Sequence, residues 1–240
     1  MEEIHYLIPE KLKIIQNNDF FKFGTDSVLL SDFVDIRGGE RVLDLGCGSG
    51  VIPLLLAYKK NPSRVIGLEI QADLVEMSRR SVEMNGLKEK IEIREGDLKE
   101  IGNYIRNDSF DIVVSNPPYM PVNAGKITNN RRKAIARHEI TVNLDDVVKS
   151  AAFVLINNGS FFMVHRSWRM SEVFTSLRKY NLEPKKLRLV QSRYNKSPDM
   201  FLIKAIKGAN GGLNVEPVLI VYEGDSIEYT EEVKKIYGEI

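Results

Sequence analysis

Short apolar runs alternating with helix-patterned stretches predict an α/β fold, a doubly wound and mostly parallel sheet, and two observations carry that expectation. The runs Arg41-Val42-Leu43-Asp44-Leu45, Arg64-Val65-Ile66-Gly67-Leu68-Glu69-Ile70 and Phe110-Asp111-Ile112-Val113-Val114 are apolar at successive positions, as strands covered on both faces are. Acids also recur near strand tips, at Asp44, Glu69 and Asp97, and open α/β sheets gather ligands at the carboxyl ends of their strands.

The prelude, residues 1–38, has no strong period through residue 15, and Leu7-Ile8-Pro9 suggests a short extended entry. Phe21 and Phe23 would share a face, Gly24 punctuates, and Thr25 or Asp26 is expected to cap a short amphipathic helix through Val34. This segment reads as a lid on a core over 39–208.

The first buried run feeds Gly46-Cys47-Gly48-Ser49-Gly50 and then an apolar helix start at Val51. Strand, glycine loop and helix let a backbone approach a ligand without side-chain obstruction. The spacing is G-x-G-x-G, with Val51 where a nicotinamide or flavin fold needs its third glycine, and there is no Gly-Lys-Ser/Thr of a triphosphate loop. Asp44 would repel a pyrophosphate and suits a ligand carrying an ammonium and a sulfonium. Glu69 is placed to accept from a ribose diol. A helix is expected over about Gln71 to Asn85, stopped at Asn85-Gly86, then an alternating edge strand from Lys90 whose Asp97 could accept from an adenine amino group.

The fourth run ends in Asn116-Pro117-Pro118-Tyr119, where two prolines force the chain out of the sheet. An amide oxygen and a proline carbonyl can each accept one N–H of an exocyclic amine, pulling its nitrogen toward tetrahedral geometry and turning the lone pair outward. Tyr119 would stack on the ring. Those four residues are the expected catalytic set. Taken together with Asp44 to Gly50, Glu69 and Asp97, they resemble the class I S-adenosylmethionine-dependent methyltransferases that modify amino groups, in order and spacing, over roughly residues 20 to 208. The resemblance implies a Rossmann-like seven-stranded sheet and S-adenosyl-L-methionine as cofactor, its methionine end at Asp44 and the glycines, its ribose at Glu69 and its adenine at Asp97. It also raises Asp26 to a cofactor neighbour and counts Asn116 beside the donor.

Substrate choice rests on what surrounds that core. About 40 residues precede the glycine loop, too few for the helical domain of the glutamine-N5 methyltransferases of release factors. No target-recognition domain of a DNA enzyme is visible, and guanine-N2 enzymes of ribosomal RNA more often end the motif in Phe. Phe-x-Phe-Gly-Thr-Asp at 21–26, Arg137-His138-Glu139 and Ser197-Pro198-Asp199 resemble the compact tRNA(Val) (adenine-37-N6)-methyltransferases. The partner so implied is the anticodon loop of a tRNA; a binder that keeps the fold without catalysis is the different-class alternative.

Charge agrees with an RNA partner. Residues 120–210 hold 17 Lys/Arg against 6 Asp/Glu although the whole chain is only +1. The segment reads either as a solvated face or as a phosphate-binding surface, with Arg131, Arg132, Lys133, Arg137, Arg193 and Lys196 as candidate RNA contacts. His138 reads more simply as a surface residue than as an acid–base group. Beyond the motif, Asn143 or Thr141 is expected to cap a helix from Leu144 to Ile156, followed by a strand at Ser160 to Val164, a helix over Ser167 to Tyr180 with the lone tryptophan, Trp168, and a closing hairpin. Residues 209–240 read as an extension on the core, with Val218, Ile220 and Tyr222 alternating ahead of a helix over Thr230 to Tyr237. At 240 residues and 43% hydrophobic the chain suits one buried core. A single cysteine excludes an internal disulfide, the three histidines lack metal-ligand spacing, and the acidic start and short apolar runs predict a cytoplasmic monomer with no membrane and no metal.

Overall fold

The computed structural model describes residues 1–20, 23–120 and 142–239. Its first two strands, β1 (Glu2–Ile8) and β2 (Leu12–Asn17), pair antiparallel as a separate hairpin, with Ile4 opposite Ile15. The sequence suggested only a short extended entry there. The hairpin escapes a periodicity search because β1 leaves Ile4 and Tyr6 exposed, whereas β2 is buried on both faces.

The main sheet follows. Its parallel strands β3 (Arg41–Leu45), β4 (Arg64–Glu69), β5 (Ile91–Glu95), β6 (Phe110–Ser115) and β7 (Leu155–Arg166) are joined by helices α2 (Val51–Lys59), α3 (Ala72–Met84) and α4 (Leu144–Val154), and by a 3₁₀ segment, Leu98–Asn103. Helix α1 (Thr25–Phe33) precedes β3. After β7 come a 3₁₀ turn (Ser167–Arg169), α5 (Met170–Lys179), and the hairpin β8 (Leu182–Gln191) and β9 (Met200–Lys207), with β9 antiparallel to β7. Seven strands run in the order β8-β9-β7-β6-β3-β4-β5, as the resemblance implied. The tail adds β10 (Asn214–Val215) and β11 (Leu219–Ile220), both parallel to β8, so the sheet has nine strands.

Continuous apolar runs are what this double covering requires. Val42, Val65, Ile112 and Val114 pack to one side with α1, α2 and the last helix, α6 (Glu231–Tyr237); Leu43, Ile66, Val113 and Phe161 pack to the other with α4 and α5. The β1–β2 hairpin docks on α3, whose side chains satisfy its free edge: Lys13 N–H donates to Asn85 Oδ1 at 2.9 Å and Ile15 N–H to Ser81 Oγ at 3.0 Å.

Three local expectations are corrected. Helix α1 is not amphipathic, because Asp26, Ser27, Val28, Leu29, Leu30, Ser31 and Phe33 are all buried between the sheet side and α6, and its N-cap is Gly24, with no side-chain cap bond. Helix α4 stops at Val154 and not at Ile156, since Leu155 already pairs with Phe110 as a strand; Asn143 does cap it, in a reciprocal box with Asp146. In the tail the buried positions are Leu219 and Val221, one residue out of phase with the alternation read from Val218, Ile220 and Tyr222.

Candidate active site

The carboxyl ends of β3, β4, β5 and β6 open into a cleft of about 420 Å³, lined by the glycine loop, Glu69, Asp97, Asn116 to Tyr119, the start of α1 and Arg166. The loop turns because Gly46, Gly48 and Gly50 take φ of 75°, 54° and 85°. A Cβ on Gly46 or Gly48 would meet nothing within 4 Å and would stand in open cleft, whereas one on Gly50 would meet Ser78 Cβ at 3.3 Å. The first two glycines therefore leave room for a ligand, and the third lets the loop pack on α3. Backbone N–H groups of Gly46 and Cys47 donate to Leu68 O at 2.8 and 3.1 Å, and Ser78 Oγ donates to Gly48 O at 2.7 Å, so the cradle is held from behind.

Glu69 sits at the tip of β4 in the cleft wall, 6% exposed. Its Oε2 accepts from Gly48 N–H at 3.0 Å, while its Oε1 accepts from Gln71 N–H at 2.9 Å and, at 3.5 Å, from Gln71 Nε2, which leaves a lone pair free on Oε2. Burial raises its pKa, against the pull of those N–H groups. Asp97 also faces the cleft. One of its oxygens caps the 3₁₀ segment through Lys99 N–H at 2.9 Å, and the other lies 3.7 Å from Lys99 Nζ.

Asp44 lies elsewhere than its reading as a wall of the ligand site implied. It is inside β3, wholly buried, behind the loop and outside the cleft lining, and among the described residues neither carboxyl oxygen has a hydrogen-bond partner. Burial, then the nearby Glu69 carboxylate, push its pKa well up. Orphaned carboxyl oxygens are costly in a protein interior. A cationic ligand end in the Cβ-free cradle in front would favour ionisation of Asp44 and Glu69, and the cradle gives it room. The donor set thus fits a ligand with a cationic end and a hydroxylated ring.

Where β6 ends, the chain turns out as expected and brings Asn116 to Tyr119 against α1. Ser115 Oγ donates to Leu45 O at 2.8 Å, tying this exit to β3. Asn116 Nδ2 donates to Ser27 Oγ at 2.8 Å. Its Oδ1 accepts from the Tyr119 hydroxyl, which also lies 2.6 Å from Asp26 Oδ2. The Tyr119 ring meets His165 edge-on, centroids 5.4 Å apart, and the Arg166 guanidinium lies 4.9 Å from its centroid. So Tyr119 is turned inward onto Asn116, not presented as a free stacking face. Burial, then the charge of Asp26, raise the hydroxyl pKa well above its usual value, so it keeps its proton. Asp26 lines the cleft, and its carboxylate accepts from the Tyr119 hydroxyl and from the Ser27 N–H, the latter at 2.8 Å from Oδ1.

His165 does no acid–base work at neutral pH: it is fully buried, its Nδ1 accepts from Arg166 N–H at 2.9 Å, and burial pulls its pKa down to about 3. Of the candidate RNA contacts, Arg131, Arg132, Lys133 and Arg137, with His138, lie outside the described residues. Arg193 is a tie to the tail, its Nη1 donating to Gly224 O at 2.7 Å and Ser226 O at 2.5 Å. Lys196 is exposed on the β8–β9 connector. Ser27, Gln71, Ser78 and Arg166 were not foreseen. Arg166 alone had a local signal, being a cation just past the apolar run Phe161 to Val164, where a strand tip meets ligands. Among the described residues no group of three His, Cys, Asp or Glu is arranged to hold a metal ion, and no helix is long and apolar enough to cross a membrane.

A family described as a methyltransferase domain matches residues 36–232. A tRNA1(Val) (adenine(37)-N6)-methyltransferase of Bacteroides thetaiotaomicron is 28% identical over 219 residues, 91% of this chain and 89% of that relative. Among solved structures, a predicted O-methyltransferase from Agrobacterium tumefaciens superposes with a TM-score of 0.72 at 22% identity, covering 89% of this chain and 95% of that one. Geranyl diphosphate C-methyltransferase from Streptomyces coelicolor, solved with S-adenosyl-L-homocysteine, has a TM-score of 0.56 at 13% identity, over 75% and 76% of the two chains. At these identities the two structures speak to the fold alone.

Proposed function

Because the chain belongs to the methyltransferase domain family, we propose that it transfers the methyl group of S-adenosyl-L-methionine to the exocyclic N6 amine of an unpaired adenine in RNA, adenine 37 of tRNA(Val) being the target its relatives' names favour. The observation that carries this reading is the Asn116 amide at the mouth of the cleft, oriented by its bond to Ser27 Oγ at 2.8 Å. The cofactor supplies an activated methyl group on a sulfonium. Glu69 would hold its ribose hydroxyls, Asp97 its adenine amino group, and the Gly46–Gly48 cradle its methionine end, with Asp44 behind as a buried carboxyl whose ionisation a bound cation would favour.

An aromatic amine is a weak nucleophile because its lone pair is conjugated with the ring. Acceptors on both of its N–H bonds, Asn116 Oδ1 and the Pro117 carbonyl, draw the nitrogen out of that conjugation and turn the lone pair toward the methyl group. For this to happen the Tyr119 hydroxyl must give up Asn116 Oδ1, and Asp26 Oδ2 at 2.6 Å is where it can stay bonded. The nitrogen would take the methyl as the carbon–sulfur bond breaks, the leaving group being the neutral thioether, and would then shed a proton to water, so alignment supplies much of the acceleration, on the order of several kcal/mol. The adenine must be unpaired or flipped out, which is cheap in a loop. We place the activity in the cytoplasm and the working unit as a monomer.

Incubation with tRNA lacking modifications and methyl-labelled donor, followed by nucleoside analysis, tests the reading. N6-methyladenosine is the expected product. N2-methylguanosine would move the target to guanine, and donor binding without transfer to any RNA would leave a binding module.

A further inference from the structure

The only tryptophan of the chain, Trp168, is 58% exposed two residues beyond Arg166, which lines the cleft, and none of the chemistry above uses it. It sits in the Ser167–Arg169 turn where β7 ends, and the arginines on either side of it, Arg166 and Arg169, reach Tyr119. Arg166 lines the cleft and lies 4.9 Å from the Tyr119 ring centroid, while Arg169 Nη1 donates to the Tyr119 carbonyl at 3.3 Å. The turn is pinned from the other side as well. Ser167 N–H donates to Asp199 O at 3.0 Å, and Arg166 pairs with the Asp199 carboxylate at 3.0 Å. Beneath the indole, the Arg169 guanidinium lies 5.7 Å from the ring centroid. A large aromatic surface is thus held on a rigid turn beside the base-handling residues.

We infer that Trp168 is a stacking platform for the unpaired nucleotide next to the target adenine. This rests on the reading of RNA as substrate. A strand that delivers one base to Asn116 brings its neighbour near Tyr119, and the turn that Arg166 and Arg169 join to Tyr119 carries an exposed aromatic plane. Every base has a π-face, so stacking needs no particular sequence. Indole offers a large, flat, partly polar surface suited to such a wet boundary. Charge favours the same occupant: the connector that pins the turn exposes Lys196, beside Tyr194 at 86% exposure, and residues 120–210 hold 17 Lys/Arg against 6 Asp/Glu, a balance that attracts a phosphate chain.

Because there is one indole, the full chain reports on its own platform. A synthetic RNA hairpin with an unpaired adenine and flanking nucleotides in its loop should quench the tryptophan emission saturably, at the concentration that half-saturates methyl transfer. Trp168→Ala should raise the KM for that hairpin about 5- to 150-fold, the span of one base–aromatic stack, with kcat and donor affinity unchanged. Trp168→Phe should recover most of the loss. If the wild type methylates the hairpin while Trp168→Ala keeps its KM, the platform is overturned and the RNA reading stands. A wild type that binds the donor but neither methylates RNA nor shows quenching overturns both.

Discussion

The Tyr119 hydroxyl lies 2.6 Å from Asp26 Oδ2 while also bonding to Asn116 Oδ1, so one proton serves two acceptors. Helix α1 and the strand exit after β6, 93 residues apart in sequence at these two positions, are thereby latched together at the mouth of the cleft. The oxygen that the tyrosine occupies is the one a target amine needs. Asp26→Asn weakens the acceptor that holds the hydroxyl back, leaving Tyr119 on Asn116. We expect kcat to fall about 10- to 100-fold, the worth of a hydrogen bond to a charged group, with donor affinity kept. Steady-state kinetics beside a calorimetric donor titration decides it. A loss of donor affinity with kcat intact would return Asp26 to the cofactor role expected from sequence.

Removing the amide itself separates binding from chemistry. Asn116→Ala deletes the acceptor for the amine and the bond to Ser27 Oγ, but no contact of the glycine cradle. Methyl transfer should drop by about 100- to 1,000-fold, as when one positioned polar contact to a reacting group is lost. The dissociation constant for S-adenosylmethionine should hold. Ser27→Ala should give a smaller loss of the same kind, because the amide remains and only its orientation is released.

The glycines divide by what lies around them. An alanine at Gly48, with φ at 54° and open cleft beside it, places a methyl where the ligand belongs. Donor affinity should collapse, with a stability cost near the ~1–2 kcal/mol of one left-handed residue. An alanine at Gly50 has φ at 85° and meets Ser78 Cβ at 3.3 Å, so it adds overpacking of about 1–3 kcal/mol to the same strain. Thermal melts with and without donor should show Gly50→Ala as the less stable variant and Gly48→Ala as the one that donor no longer stabilises.

How much of this was legible in the sequence depends on whether the signal was local. The runs at 41–45 and 110–114, the glycine loop and the double proline are punctuation within a few residues, and β3, its loop and the exit after β6 fall where they were read. Glu69 and Asp97 followed from strand tips in the same way. What was not legible is contact between distant segments. Ser27 bonds a residue 89 positions away, and nothing in Thr25-Asp26-Ser27 announces it. The β1–β2 hairpin completes its hydrogen bonds with side chains of α3, which no strand pattern encodes. The tail went out of phase because Val218 and Leu219 are both apolar, so alternation alone had two equal registers and packing chose the second.

Asp44 gives the ligand-free protein a pH dependence of definite sign. Its carboxyl is buried without a hydrogen-bond partner, and burial together with the Glu69 charge raises its pKa well above 3.8. Above that value the unfolded chain has released the proton while the native one still holds it. The native state then binds more protons, and stability falls as pH rises from 3.8 toward the native value. Glu69, also raised, adds a slope of the same sign. Asp44→Asn removes the Asp44 contribution: variant and wild type should have nearly equal stability in acid, and the variant should gain on the wild type as pH climbs to neutrality. Urea titrations without donor, from about pH 4 to about pH 8, measure the difference. A gap that is constant across that range would mean that Asp44 is ionised in the native state throughout. The same variant should bind S-adenosylmethionine more weakly at neutral pH, because the carboxyl that a bound cation would ionise is gone.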